Sequence, residues 1–368
     1  MIRVDQILPT LAYGDAIGNE ALHMQRIIQS WGYESSIYTI NSDPRLTNHV
    51  RPYSEYRRDS TAEDLLIFHY AIGSEVTEYV RRLPNRMLLI YHNITPHEYF
   101  EGISDEAAAL TKQGRDELLM LRDRATLAVG DSEYSRQELV ELGFSNTGVL
   151  PLILDFSRYQ TEPNPEVLEK FHDEAVNIIS VGRFAPNKRL DQLIRLFAHY
   201  KRRKQPNARL FLVGSFVDFQ RFYAYLVWLA QILAVDDIYF VARSDGRSVP
   251  TPDLIAYYKL GSVYVSMSEH EGFCVPLVES MVFGLPIMAY NSSAVPFTLG
   301  DSGILFNSKN YEELSETIDL LQTDHTLRRR IIDRQRQRLP AFDILRLEPL
   351  FRACVEQVIA SEPPHVYW

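Results

Sequence analysis

Short apolar runs with strand character alternate with helical runs along most of the chain, and this alternation is the feature that most restricts its fold. Such an order predicts parallel sheets whose faces are covered by helices. The stretch Asp155 to Asp173 contains Pro163, Pro165 and several charges, and we interpret this break in the alternation as a linker. The sequence therefore predicts two α/β domains, each with a doubly wound sheet.

The predicted elements fall into two series. In the first series, strands are expected at residues 3–8, 35–40, 65–69, 87–91, 126–129 and 147–150, with helices at 20–31, 73–83 and 105–124. In the second series, strands are expected at residues 176–181, 208–213, 237–241, 263–267 and 286–290. Apolar residues at helical spacing also predict a final helix over residues 344–360.

The segment between the last two predicted strands contains a helix whose start is well marked. Pro276 suits the first helical position, and Gly284 with Pro286 ends the helix before the next strand. In open α/β sheets, ligands bind beyond the carboxyl ends of the strands, and a helix N-terminus offers unpaired N–H groups and a partial positive charge to a phosphate. This segment is therefore a candidate anion site.

Two carboxylates lie on either side of this helix start. Glu271 precedes it, and Glu279 lies about one turn inside the helix. The two side chains can thus reach opposite ends of a ligand whose phosphate sits between them. The amides expected at the phosphate follow Gly272 and belong to Phe273, Cys274 and Val275. This arrangement fits a nucleotide sugar.

The run from Glu271-Gly272-Phe273 to Gly284-Leu285-Pro286 resembles the donor-site signature of family 4 glycosyltransferases. The resemblance implies the GT-B fold, in which two Rossmann-like domains face each other across a cleft and a C-terminal helix crosses back to the N-terminal domain. It also implies that Glu271 acts in catalysis by holding sugar hydroxyls and that Glu279 binds the ribose. The expected division is an acceptor domain at 1–155, a linker at 156–173, a donor domain at 174–345 and the returning helix at 346–368.

The second series opens with a strand, a glycine turn and two cations, Arg183 and Lys188. This resembles the Gly-Arg-x4-Lys element with which the family holds the donor diphosphate. Fixed cations there stabilise the negative charge that grows on the leaving diphosphate, which gives both residues a catalytic role. The family more often has Lys-Gly at this point, so Arg189 leaves the role of a third cation open. By the same resemblance, Val241, Ala242 and Arg243 are expected to flank the base.

The loop after the first strand contains Gly14, Asp15 and Gly18. Related enzymes carry a glycine-rich loop here that faces the phosphates and the acceptor, so Gly18 is expected at the donor, and Gly14 and Asp15 at the acceptor. A plain turn remains an equal alternative for Gly14. Because the loop lacks the full Gly-x-Gly-x-x-Gly fingerprint, a nicotinamide dehydrogenase is not indicated.

Two histidines end strands in the first series. His92, followed by Asn93, resembles the family's N-domain histidine that faces the transferred sugar, and it is therefore a candidate catalytic and acceptor-binding residue. His69 ends the preceding strand and is expected to border the same cleft. A hydrogen-bonded structural role is the alternative for both histidines.

The overall composition excludes several functional classes. A net charge of −10 argues against nucleic acid as a partner. No Asp-x-Asp occurs, so no metal is expected at the donor and the expected cofactors are none. No apolar run reaches bilayer-spanning length and the start is not a signal peptide, which favours a cytoplasmic protein. Residues 1–150 hold 14 Lys and Arg against 22 Asp and Glu, so at most peripheral membrane association is expected.

These observations together predict a retaining, metal-independent hexosyltransferase. The expected donor is a GDP- or UDP-linked sugar, with GDP-mannose considered first, and the expected acceptor is a glycan or lipid-linked glycan in surface polysaccharide or glycoconjugate synthesis. Two alternatives remain open. One is a GT-B enzyme of another reaction type, such as a nucleotide-sugar epimerase or a sugar phosphorylase. The other is a catalytically silent sugar-nucleotide binding subunit.

Overall fold

A computed structural model describes residues 2–12 and 14–362. The chain forms two compact units. The first unit combines the stretch ending at Glu98 with Glu106–Asp155 and the stretch that begins at Ala341. The second unit contains Tyr99–Asp105 and Phe156–Pro340. Residues 156–173, which interrupt the sequence pattern, therefore belong to the second unit.

The first unit is built on a parallel sheet of seven strands in the order β5-β3-β1-β6-β7-β8-β9. The strands of this unit are β1 (Val4–Ile7), β2 (Thr10–Leu11), β3 (Ile37–Thr39), β4 (Asn41–Ser42), β5 (Val50–Pro52), β6 (Leu65–Tyr70), β7 (Arg86–Tyr91), β8 (Leu127–Gly130) and β9 (Thr147–Val149). Strands β2 and β4 pair separately. The helices that cover the sheet are α1 (Ala16–Ser30), α2 (Tyr56–Asp59), α3 (Glu75–Arg81), α4 (Asp105–Leu118) and α5 (Glu133–Glu141).

The second unit contains a six-stranded parallel sheet in the order β12-β11-β10-β13-β14-β15. Its strands are β10 (Asn177–Val181), β11 (Arg209–Val213), β12 (Ile238–Val241), β13 (Val263–Ser266), β14 (Ile287–Tyr290) and β15 (Ile304–Phe306). Its helices are α6 (Pro165–Lys170), α7 (Leu190–Arg203), α8 (Gln220–Ile232), α9 (Thr251–Leu260), α10 (Val275–Val282), α11 (Val295–Leu299), α12 (Tyr311–Thr323) and α13 (His325–Arg338). The strand order reverses between β10 and β13, and ligands of such sheets bind at the carboxyl ends of the strands beside this point.

The last described helix, α14 (Ile344–Ala360), has the bounds that the sequence predicts. It belongs to the first unit, where its apolar stripe joins a core that includes Val4, Leu88 and Val129 of the central strands. The buried residues of this stripe are Leu347, Phe351, Val355 and Val358. The expected return of the C-terminal helix to the N-terminal part of the chain is therefore confirmed.

Some details of the structure differ from the prediction. The α-helix expected over 105–124 is too long, because α4 ends at Leu118 and a 3-10 turn follows at Leu119–Leu121. The sequence pattern also missed the edge strands β5 and β15, which are only three residues each and too short to show alternation.

Within residues 2–12 and 14–362, no helix combines the length and the apolar character that crossing a membrane requires.

Candidate active site

A glycine turn at the carboxyl end of β10 allows two neighbouring loops to approach closely. Gly182 has a φ of +146°, and a Cβ on Gly214 at the end of β11 would lie 1.8 Å from the carbonyl oxygen of Gly182. Only glycine at position 214 is compatible with this approach. Arg183 follows the turn with its side chain 68% exposed and forms a long contact of 3.8 Å with Asp218. Its guanidinium is thus free to bind a ligand anion.

Arg183 lines a narrow pocket within the second unit. The pocket is lined by Ser180, Val181, Gly182, Arg183, Phe184, Lys188, Leu190, Tyr264, Ser266 and Glu271. The structure thus brings together three of the predicted site residues, Arg183, Lys188 and Glu271. They gather here because β10 and β13 are hydrogen-bonded neighbours whose carboxyl ends lie at the same edge of the sheet.

Lys188 and Glu271 contact each other directly in this pocket. Nζ of Lys188 donates to both carboxylate oxygens of Glu271 at 2.6 Å. The Glu271 side chain is 8% exposed, and that of Lys188 is 25% exposed. The ion pair is therefore partly desolvated. Loss of either residue would leave the other charge partly buried without a partner, which is unfavourable.

Asn187 holds the turn before α7 against the loop after β13. Its side-chain amide donates to the carbonyl oxygen of His270 at 2.9 Å, and its carbonyl oxygen accepts from the backbone N–H of Glu269 at 2.8 Å. Asn187 is itself buried, with 4% of its surface exposed. These bonds place Lys188 beside Glu271. Asn187 is a site residue that the sequence reasoning missed, although it lies between Arg183 and Lys188 in the motif.

The loop after β14 supports Glu271 from the other side. Oγ of Ser293 accepts a hydrogen bond from the backbone N–H of Glu271 at 2.7 Å. The backbone N–H of Ala294 donates to the carbonyl oxygen of Glu271 at 3.3 Å. Ser293 has a φ of +44°, a conformation that costs energy for a residue with a side chain. Sequence reasoning missed this contact because the loop has no distinctive spacing.

The start of α10 lies directly after the loop that carries Glu271. Cys274 occupies the N-cap position in a left-handed conformation with φ +72°. Pro276 is the second helical residue, one position later than expected. Phe273 and Cys274 are buried, whereas Gly272 and Val275 are half-buried. Burial and, next, the charge of Glu271 raise the pKa of the Cys274 thiol well above its usual value, so the thiol stays protonated. Residues 272–275 do not line the pocket described above.

Glu279 is surrounded by aromatic side chains. Its two carboxylate oxygens accept hydrogen bonds from the hydroxyls of Tyr159 and Tyr258, each at 2.7 Å. Phe283 packs edge-on against Tyr159 and stacks on Tyr258. Glu279 is 5% exposed and does not line the pocket that contains Glu271. Sequence reasoning missed both tyrosines because they lie 120 and 21 positions from Glu279.

Arg189 is turned toward carboxylates of its own unit. It adopts a left-handed conformation with φ +48° and caps the start of α7. Its guanidinium donates to Glu269 at 2.6 Å and to Asp191 at 3.1 Å. Lys309 also donates to Glu269, at 2.5 Å. The side chain of Arg189 therefore belongs to a structural ion-pair network.

The three residues expected to flank the base lie at the carboxyl end of β12. Val241 is buried, Ala242 is half-buried and Arg243 is exposed. The backbone of Arg243 forms a tight turn with Arg247, and its side chain lies 3.2 Å from Asp245. Residues 241–243 do not line the pocket around Arg183.

The predicted glycine loop of the first unit leads into α1, and Gly18 lies in the first turn of that helix. Asp15 is exposed and caps the helix by accepting from the backbone N–H of Gly18 at 3.3 Å. A Cβ on Gly18 would lie 2.7 Å from the carbonyl oxygen of Ala12, so a close backbone contact requires glycine here. Gly14 has a φ of +79° with open space around it. Backbone geometry alone therefore explains why glycine is found at positions 14 and 18. The neighbouring Tyr13 lies outside the described residues.

His69 and His92 are buried together in the first unit. Nδ1 of His69 lies 3.1 Å from Nε2 of His92, and the rings are stacked. Glu20 and Asp131 lie 3.7 and 3.6 Å from the two ring nitrogens of His92. Burial acts to lower the pKa of His92, but its contact with Asp131 and the charge of Glu20 outweigh burial and raise it. Sequence reasoning missed Glu20, which follows the glycine loop.

The side chain of Asn93 is held by residues of α5. It has a φ of +69°, and its side-chain amide donates to Glu138 at 2.5 Å and to Ser135 at 3.3 Å. Asparagine tolerates this left-handed conformation better than most residues. The structure therefore gives Asn93 a role in shaping the turn after β7.

Residues 161–338 match the family model described as "Glycosyl transferases group 1". A relative from Haemophilus influenzae, named "Uncharacterized glycosyltransferase", is 31% identical over 167 residues, which cover 44% of this chain and 44% of the relative. The "Serotype-specific mannosyltransferase WbdA" of Escherichia coli is 24% identical over 176 residues, or 47% of this chain and 21% of the relative. The chain thus spans less than half the length of both curated relatives. Over residues 161–338, the resemblance to glycosyltransferases that the motifs indicated is confirmed.

The fold is also found among solved structures. The structure described as Anabaena Alr3699/HepE in complex with UDP-glucose has a TM-score of 0.74 to this chain at 16% identity, covering 97% of this chain and 100% of the other. At this identity the similarity concerns the fold alone. The expected GT-B type of fold, with two Rossmann-like units, is confirmed.

Proposed function

Because residues 161–338 match the group 1 glycosyltransferase model, we propose that this protein transfers a hexose from a nucleotide diphosphate sugar to a glycan or lipid-linked acceptor. The observation that carries the proposal is the pocket of the second unit. It gathers Arg183, Lys188 and Glu271 at the carboxyl ends of adjacent strands. Two cations and one carboxylate suit a ligand with an anionic diphosphate at one end and hydroxyls at the other.

In the proposed reaction, the cations stabilise the leaving diphosphate. The exposed guanidinium of Arg183 can donate two parallel hydrogen bonds to phosphate oxygens. The ammonium of Lys188 has three hydrogens, of which two point to Glu271, so one remains for a phosphate. Because Glu271 holds Lys188 in place before the sugar leaves, this ammonium stabilises the developing negative charge with little reorganisation.

Glu271 is paired with Lys188 and, in this proposal, accepts hydrogen bonds from sugar hydroxyls. The acceptor hydroxyl attacks the face from which the diphosphate departs, and a phosphate oxygen takes its proton, so the anomeric configuration is retained. This scheme requires no metal at the donor. Glu279 binds the ribose through carboxylate lone pairs that its two tyrosine partners leave unused.

The proposal also assigns roles to the predicted site residues that lie outside the pocket. In the proposal, the amides of residues 273–275 contact the diphosphate, residues 241–243 flank the base, and the acceptor is bound by the first unit through Gly14, Asp15, His69, His92 and Asn93. The names of the Escherichia coli relatives favour mannose as the transferred sugar, with GDP-mannose as the first donor to examine. The Anabaena structure is a complex with UDP-glucose, which makes UDP-glucose the second donor to examine.

The test is a screen of GDP- and UDP-linked hexoses for slow donor hydrolysis and for thermal stabilisation of the protein. We expect one donor to be hydrolysed without added Mg²⁺ or Mn²⁺ and, once an acceptor is found, NMR to show a retained anomeric configuration. An inverted product would contradict the mechanism. Conversion of the donor to an epimer, or dependence on inorganic phosphate, would favour another GT-B reaction. Binding without turnover of any donor would favour a silent binding subunit.

A further inference from the structure

Glu20, His69 and His92 form a buried cluster in the first unit, and one carboxylate oxygen of Glu20 has no hydrogen-bond partner there. One ligand atom from each of the three side chains lies within 4.8 Å of the others. The residues come from α1, the end of β6 and the position after β7, and their exposed fractions are 2%, 1% and 8%. Bulk water therefore does not solvate these groups, and each polar atom needs a partner inside the protein.

Gln6 determines which nitrogen of His69 carries hydrogen. The amide nitrogen of Gln6 donates to the carbonyl oxygen of Ala21 at 2.9 Å, so its amide oxygen is the atom that faces Nε2 of His69 at 2.8 Å. Since that oxygen can only accept, Nε2 of His69 is the protonated nitrogen. In the neutral ring, Nδ1 of His69 is therefore a bare lone pair, and it is directed at Nε2 of His92 at 3.1 Å.

Glu20 presents a second acceptor to the same atom. One of its oxygens accepts from the backbone N–H of Ile153 at 2.9 Å. The other oxygen is buried without a hydrogen-bond partner and lies 3.7 Å from Nε2 of His92. Nε2 of His92 can carry at most one hydrogen, but it faces both the lone pair of His69 and this oxygen. An unpartnered buried carboxylate oxygen is unfavourable, and a cation between the three side chains would remove the deficit.

We propose that Glu20, His69 and His92 bind a divalent transition-metal ion, for which Zn²⁺ is the simplest candidate. In this proposal the two histidines are metal ligands, and they replace the direct contacts to the acceptor considered above. Two imidazoles and one carboxylate are a common ligand set for this ion. Tetrahedral Zn²⁺ with ligands about 2.0–2.1 Å away places neighbouring ligand atoms about 3.3 Å apart. The separations of 3.1 Å between His69 and His92 and 3.7 Å between His92 and Glu20 lie on either side of this value.

The residues around the cluster also fit a metal site. A histidine that binds a metal usually donates its other ring N–H to a carboxylate or carbonyl group. His69 has the amide oxygen of Gln6 at 2.8 Å in this position, and His92 has the carboxylate of Asp131 at 3.6 Å. The non-ligating oxygen of Glu20 is held by the N–H of Ile153. Hydrogen bonds to a second group thus orient His69 and Glu20, and the ion would join the start of α1 to the ends of β6 and β7.

The experiment measures metal content in protein without an affinity tag. The protein is expressed with Zn²⁺ in the medium, dialysed against metal-free buffer and analysed by inductively coupled plasma mass spectrometry, and we expect about one ion per chain. Glu20→Gln keeps the side-chain shape but replaces the charged ligand, and it should lose most of the metal. His199→Asn is the matched control, because His199 lies in the second unit and bonds to Ser315 at 3.0 Å. This variant should keep its metal.

A second measurement does not depend on any variant. Wild-type protein reconstituted with Co²⁺ should show visible absorption bands of a nitrogen- and oxygen-bound ion, and Zn²⁺ should displace them. Wild-type protein that binds neither ion would overturn the proposal. Equal metal content in wild type and Glu20→Gln would also overturn it. Because the readout is metal content, neither result depends on whether the pocket of the second unit transfers a sugar.

Discussion

The ammonium of Lys188 lies 2.6 Å from both carboxylate oxygens of Glu271, which is 83 positions away in the chain. This ion pair joins the turn before α7 to the loop after β13. It links a residue expected at the diphosphate to one expected at the sugar. Removing either partner leaves the other charge in a partly buried place, so the two residues are coupled in stability as well as in function.

We expect Lys188→Ala to lower the rate of donor turnover strongly. The loss of one charge-assisted contact to the leaving diphosphate should raise the barrier by about 2 to 4 kcal/mol. Arg183→Ala should act in the same direction, and it should cost little stability because the side chain is 68% exposed. Kinetics with the donor identified in the screen provide the measurement.

The control for Lys188→Ala is Lys201→Ala. Lys201 also forms an ion pair, 2.7 Å from Asp237, but it does not line the pocket. Its removal should leave turnover unchanged. If Lys188→Ala and Arg183→Ala both stayed within about threefold of wild type, the diphosphate role would be wrong.

Glu271→Gln and Glu279→Gln should affect different ligands. Glu271→Gln should reduce sugar transfer but leave the affinity for the bare nucleoside diphosphate nearly intact, because its expected contacts are to the sugar. Glu279→Gln should weaken binding of the diphosphate, because an ionised acceptor to the ribose hydroxyls becomes a weaker neutral one. Calorimetry with the diphosphate and transfer kinetics measure the two effects separately.

Tyr258→Phe is the control for Glu279. It removes one hydroxyl that holds the carboxylate at 2.7 Å and leaves the charge in place. A binding loss equal to that of Glu279→Gln would show that the position of the carboxylate is the decisive factor. If Glu271→Gln lost diphosphate affinity and Glu279→Gln did not, the donor would lie in the opposite orientation.

We expect Gly214→Ala to be the most damaging small substitution near the pocket. A Cβ at this position would lie 1.8 Å from the carbonyl oxygen of Gly182, so both loops must move. The cost in the free energy of unfolding should be about 3 kcal/mol or more. Gly14→Ala is the comparison, because its cost comes from φ +79° in open space and should be about 1 kcal/mol. Equal melting temperatures for the two variants would contradict the close approach.

Phe351→Ala should destabilise the first unit. Phe351 is fully buried in the core that α14 shares with the sheet, and removing such a side chain typically costs about 3 to 5 kcal/mol. Its neighbour Leu350 is 45% exposed, and Leu350→Ala should change stability by less than about 0.5 kcal/mol. Thermal unfolding of the two variants tests whether α14 contributes to this core. A similar small effect for both would count against it.

The pocket of the second unit could be predicted from the sequence in outline. Arg183 and Glu271 each follow a strand, and the carboxyl ends of adjacent parallel strands lie at one edge of the sheet. The direct pairing of Lys188 with Glu271 could not be predicted, because it depends on how Asn187 and Ser293 hold two loops. Those contacts join residues far apart in sequence whose neighbours form no recognisable pattern.

The surroundings of Glu279 and His92 were less accessible to prediction. Tyr159 reaches Glu279 from a segment that the proline and charge content indicated to be a linker. Glu20 lies on the first helix, where a polar residue suggests a solvent-facing position, yet only 2% of its surface is exposed. In both cases tertiary packing determined the partner, and local sequence carried no information about it.

The helix α14 makes the order of synthesis relevant to folding. A ribosome produces the sheet of the first unit early, but the residues that complete its core, Leu347 to Val358, are made after the whole second unit. Domains generally fold as units as the chain emerges. The second unit can therefore finish folding first, while the apolar face later covered by α14 stays open and exposed to chaperones or to aggregation. Fusions or truncations at the C-terminus should thus affect the yield of folded protein through the N-terminal part of the chain.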